Sequence, residues 1–217
     1  MLFLQHVYAT PVVRALRTLL LISLAMLGSG CAMMSNYTTL KTQMPAQFSV
    51  DTTAHYSPLF GGVCLLPEDY AGDPDPDRKD FYSPAHAEPF TTEFEVRVSY
   101  TVADCLAVLS GFSFRIQGQP GTDPEEFGVS TVEVEVETFL REDEEPAIRL
   151  DEQVLAVRCR WKDPEREGSK MHDLRCVGVD ANGKERKGPL LGVLKNRQLQ
   201  GLTLRLQVSV VDETPQI

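Results

Sequence analysis

The sequence predicts a mainly β domain, an antiparallel β-sandwich or open barrel with two disulfides and at most short helices. Three observations carry this expectation. Several stretches alternate apolar and polar residues with a period of two, clusters of turn-forming residues separate them, and cysteines suited to pairing sit inside the alternating runs. Alternation buries one face of a strand and wets the other, which is how antiparallel sheets layer on a core.

The chain opens differently. Arg14 and Arg17 are the only Lys, Arg, Asp or Glu among the first 30 residues, and they precede an apolar stretch from Thr18 to Gly30. Its 13 residues fall short of the roughly 20 that span a bilayer as a helix. The segment therefore reads as the apolar core of a cleaved export signal. Leu27-Gly28-Ser29-Gly30-Cys31, within "LRTLLLISLAMLGSGCAMM", resembles the lipobox of bacterial lipoproteins. That resemblance implies loss of residues 1–30 and lipidation of Cys31. Because Ala32 and Met33 follow the cysteine where an aspartate would imply retention in the inner membrane, it also implies an outer-membrane anchor facing the periplasm. Residues 31–46 show neither period and are expected to be a lipidated tether, leaving 47–217 as a single β-rich domain.

From Phe48 onward the signals are mostly strands. Residues 68–89, "EDYAGDPDPDRKDFYSPAHAEP", are expected to be a surface loop, because prolines cannot donate to a ladder. "FTTEFEVRVSYTV" sets Phe94, Val96, Val98, Tyr100 and Val102 against Glu93, Glu95 and Arg97. "ADCLAVLSG" is continuously apolar and fits a short helix or a buried strand, and "SGFSFRIQG" after it reads as a strand. In "STVEVEVETF", Val132, Val134 and Val136 alternate with Glu133, Glu135 and Glu137. "VGVDANGKE" ends at Asn182-Gly183, a pair that suits a tight hairpin turn. "GPLLGVLKNRQLQG" fits two helical turns or a loop, and "LTLRLQVSVV" closes the domain with Leu202, Leu204, Leu206, Val208 and Val210 on one face. Seven or eight strands result.

Beyond Cys31 there are four cysteines, Cys64, Cys105, Cys159 and Cys176, an even number that suits disulfides in an exported chain. Leu155, Val157, Cys159 and Trp161 share one face of a run, and Leu174, Cys176 and Gly178 share a face of the next. Folding the polar segment between them back at Glu167-Gly168 sets Cys159 opposite Cys176, where cross-strand neighbours are close enough for a disulfide. Cys64 is then left for Cys105.

Catalytic and metal-binding patterns are sparse, so the expectation is a protein without enzymatic activity, cofactor or metal. His55, His86 and His172 share no ligand spacing, and Asp73, Asp75 and Asp77 lack the glycine turn and late bidentate carboxylate of a calcium loop. Asp180-Ala181-Asn182-Gly183 is better explained as a turn, and Ser110 and Ser113 lack the G-x-S-x-G elbow. Net charge is −10 for the whole chain, and losing Arg14 and Arg17 makes it more negative, which disfavours nucleic acid and anionic lipid headgroups and favours basic proteins or simple solubility. Glu133, Glu135 and Glu137 on one strand, with Glu93 and Glu95 on another, are the expected partner-binding residues, and "REDEEP" (141–146) prolongs the first stripe. The expected role is binding a periplasmic or envelope protein, as immunity proteins against periplasm-acting toxins do. The alternative role is a structural lipoprotein tethering an envelope or secretion-system assembly.

Overall fold

The computed structural model describes residues 36–59, 77–102, 105–121, 123, 125–138, 151–162, 171–188 and 190–211, all within one compact unit, Ser35–Ile217. Cys31, Cys64, Asp73, Asp75, the Glu167-Gly168 turn and residues 141–146 lie outside them. Among the described residues, eleven strands, more than the seven or eight expected, run in the order β1 (Tyr37–Met44), β2 (Phe48–Pro58), β3 (Arg78–Ser83), β4 (Phe90–Arg97), β5 (Ser99–Val102), β6 (Cys105–Gly118), β7 (Gly128–Glu137), β8 (Glu152–Lys162), β9 (Asp173–Gly178), β10 (Leu190–Lys195) and β11 (Thr203–Val211). A single helical turn, α1 (Asn196–Leu199), precedes β11.

The strands form a five-stranded sheet, β4-β1-β11-β8-β9, and a six-stranded sheet, β10-β7-β6-β2-β3 with β5 added beside β6. One core joins the two layers: Leu40, Leu155, Leu204 and Leu206 from the first meet Val50, Phe112, Phe114 and Val132 from the second. The layers also touch along both flanks. On one, Phe81 of β3 packs on Phe94 of β4 with ring centroids 5.2 Å apart. On the other, the Cys176 amide donates to Ser130 Oγ at 3.0 Å. Gly128 makes that flank possible, since a Cβ there would lie 2.5 Å from the Trp161 ring and 2.8 Å from Leu174 Cβ. The arrangement is a two-layer sandwich and not a closed barrel.

Four expectations need correction. The sheets are mixed rather than antiparallel: β11 runs parallel to both β1 and β8, and β10 runs parallel to β7. Alternation reports which face is buried and is blind to strand direction. The expected tether holds a central strand, β1, buried at Thr38, Leu40, Thr42 and Met44. Threonine occupies two core positions there, so the period was hidden. Thr38 Oγ1 donates to the Leu202 carbonyl at 2.9 Å, and Thr42 and Thr92 share a hydrogen bond at 2.6 Å, which satisfies the buried hydroxyls. The proline-rich loop yields β3, an edge strand, where a residue needs hydrogen-bonding partners on one side only. Lastly, "GPLLGVLKNRQLQG" is mainly strand β10, bulged between Leu190 and Val193, where Gly192 adopts φ 147°.

"ADCLAVLSG" resolves as strand. Cys105, Ala107 and Leu109 are buried, then Phe112, Phe114 and Ile116, so the inward phase switches within β6. The switch is a bulge: His55 pairs with Gly111 and Tyr56 with Leu109, which leaves Ser110 as the extra residue. Between β4 and β5 the chain turns from one layer to the other at buried Val98, whose amide donates to the Asn36 carbonyl at 2.9 Å.

Cys159 and Cys176 are direct partners on β8 and β9 and form a disulfide with Cα atoms 4.0 Å apart. It is the one bridge whose two cysteines both lie among the described residues. Cys105 is also disulfide-bonded.

Candidate functional site

The acidic stripe on β7 forms as its alternation requires. Val132, Val134 and Val136 are buried while Glu133, Glu135 and Glu137 are exposed on the outer face of the six-stranded sheet. Across β6, Glu133 stands opposite Ser113 and Glu135 opposite Gly111. None of the three glutamates carries an ion pair to a described residue.

The bulge gives this face relief. Gly111 has no side chain above the sheet, and a Cβ there would come 2.9 Å from the Val134 carbonyl oxygen. The result is an open furrow of about 390 Å³. His55, Ser113, Glu133 and Glu135 line it. His55 Nε2 and Ser113 Oγ are 2.8 Å apart and share a hydrogen bond, while Ser110 Oγ donates to the His55 carbonyl at 3.1 Å. The bulge thus holds His55 by its ring to Ser113 and by its carbonyl to Ser110, beside two carboxylates. Such a furrow offers hydrogen-bond acceptors and negative charge to a cationic side chain. A Ser–His pair is also the start of a nucleophilic site, which needs a group to orient the imidazole; among the described residues no carboxylate bonds its other nitrogen.

Sequence reasoning placed His55, Ser110 and Ser113 apart and missed that the fold gathers them at the stripe. The available signal was the change of apolar phase across Ser110-Gly111. Glu93 and Glu95 are not gathered there. They project from β4 at the edge of the other sheet, where Glu93 pairs with Lys41 at 3.8 Å and Glu95 stands opposite Thr39. His86 packs on Phe90 with centroids 4.2 Å apart, and His172 lies 3.4 Å from Glu126. Asp77 pairs with Lys79 at 3.7 Å. Asp180 Oδ1 accepts from the Asn182 and Lys184 amides, both at 2.9 Å, so its carboxylate serves the hairpin turn in which Gly183 adopts φ 74°. Among the described residues no group of three or more His, Cys, Asp or Glu is placed to hold a metal ion.

Comparison with known proteins gives no match to a family model, a curated protein or a solved structure.

Proposed function

We propose that this chain is a non-enzymatic, lipid-anchored protein-binding domain facing the periplasm from the outer membrane, and that the furrow between β6 and β7 receives a basic protein. One observation carries the binding reading: three exposed glutamates follow one another along β7 without ion pairs to described residues, beside a furrow whose floor is a glycine. Like charges on one strand face repel, and a cationic partner would relieve that repulsion while speeding encounter. Neutralising a basic toxin that acts in the periplasm is the specific role favoured. The lipobox-like segment ending at Cys31 supports the anchor, and Cys159–Cys176 with a proposed Cys64–Cys105 bridge suits an oxidising compartment.

The test uses the partner that copurifies with the detergent-extracted protein. Its association rate is measured against wild type and the triple variant Glu133→Gln, Glu135→Gln, Glu137→Gln, at low and high salt. The expected result is about tenfold slower association for the variant at low salt, with the difference shrinking at high salt. Equal rates for the two proteins at low salt overturn the reading.

A further inference from the structure

The sequence divides sharply by charge. Residues 36–138 carry five Lys or Arg against seventeen Asp or Glu, whereas residues 151–211 carry twelve against eight. The acidic total thus conceals a basic end, and three of its cations line one cleft. An open cleft of about 570 Å³ lies where β9 meets β7, walled by the loop that leads into β10. Arg175, Arg186, Lys187, Thr131 and Glu185 line it, the glutamate being the one paired with Arg160.

Two features separate this cluster from ordinary surface cations. First, Arg175 stands directly opposite Arg160 in the β8–β9 register, an arrangement that costs stability when unrelieved. Arg160 is neutralised by Glu185, but Arg175, Arg186 and Lys187 carry no ion pair to a described residue. Secondly, Arg186 is positioned by packing rather than by an acid. A Cβ on Gly192 would meet its Nη1 at 3.1 Å, and one on Gly178 would meet its Cδ at 3.4 Å. The two glycines leave room for the arginine to lie close to the backbone while it stays exposed to solvent, as Arg175 and Lys187 are.

We infer that this cleft binds a phosphoryl oxyanion, with Arg175 and Arg186 as the guanidinium forks, Lys187 as a further charge and Thr131 as a hydroxyl donor. Guanidinium groups match the oxygen geometry of phosphate, and charge-assisted bonds to it are the strong ones. The volume falls within the range of small-molecule sites, about 300–1,000 Å³, so the cleft has room for a phosphoryl group carried by a larger molecule. This site shares strand β7 with the acidic furrow but none of its lining residues, and stands whether or not that furrow binds a protein.

Two probes separate the sources of such a group. Inorganic phosphate represents a soluble phosphate or phosphomonoester, and glycerophosphoglycerol represents the phosphodiester of an anionic lipid headgroup. The full-length protein, in neutral detergent and a chloride buffer, is titrated with each by calorimetry. Saturable binding of at least one probe is expected. Arg175→Gln and Arg186→Gln should each weaken it about tenfold or more, while Arg78→Gln on β3 should leave it unchanged. Lys187→Gln, on the exposed loop, is the second variant should Arg186→Gln fold poorly, and it should weaken binding in the same direction. A preference for phosphate assigns a soluble ligand, and a preference for the diester assigns a lipid headgroup. Failure of both probes to bind wild type, or equal binding by the Arg175 and wild-type proteins, overturns the inference.

Discussion

Tyr56 is 1% exposed, its ring packs edge-on against Tyr100 at 4.7 Å, and its hydroxyl donates to the Arg97 carbonyl at 2.8 Å. Burial pushes the phenol up to about 12, with Asp77 raising it further and Arg97 opposing. The unfolded chain ionises Tyr near 10, so the stabilising contribution is complete below that pH and is lost as pH rises towards 12. A fall of up to about 2 kcal/mol is expected across this window, read as a drop in denaturant midpoint. Tyr56→Phe should cost about 1–2 kcal/mol at neutral pH through the unpaired Arg97 carbonyl and should flatten that alkaline decline. An equally steep decline in the variant would assign it to another group. Cys31 makes a second prediction at this scale. Intact mass should show a chain that begins there and carries acyl chains, and Cys31→Ser should abolish both. An unmodified chain beginning elsewhere would remove the anchor from the proposed function. Residues such as Tyr56 and Thr42 were illegible in the sequence because a buried hydroxyl is recognised only once its partner, far along the chain, is in place.

Strands whose inward positions are all apolar, such as β7 and β11, were legible in full, faces included. The β8–β9 pairing was legible because alternation gave the faces and a fold-back at the middle of the polar segment gave the register that sets Cys159 opposite Cys176. Other elements were hidden for separate reasons: β1 by buried threonines, β6 by a bulge that reverses its phase, β10 by a glycine bulge, and β3 by flanking prolines. The disulfides test the element scale. Non-reduced peptide mapping should link Cys159 to Cys176 and Cys64 to Cys105; a peptide joining Cys64 to Cys159 would contradict the hairpin. Removing the first bridge by Cys159→Ala with Cys176→Ala should destabilise the domain by about 3 kcal/mol in the chain-entropy model.

At the scale of the molecule the decisive feature is that β1 lies between β4 and β11, joining one of the earliest strands to the last. No local pattern announces such a pairing, because β1 and β11 run parallel and are separated by almost the whole domain. The same distance explains why the candidate furrow was half legible: its glutamates lie on one strand, whereas His55 reaches them only through the sheet. The placement of β1 makes a strong prediction. Leu40 and Met44 are 0% and 3% exposed, and burying such side chains contributes about 1.5–3 kcal/mol each, before the two ladders of backbone hydrogen bonds are counted. Total stabilities of about 5–15 kcal/mol leave little margin for such a loss. A chain starting at residue 47, where the period-two signal begins, would also expose β4 and β11 as unpaired edges, which invite aggregation. A chain starting at Ser35 keeps every ladder. The 35–217 protein should therefore unfold cooperatively on heating, and the 47–217 protein should be insoluble or melt without a transition. A cooperative melt of the shorter protein at the same midpoint as the longer one would show that β1 is dispensable and that the five-stranded sheet closes without it.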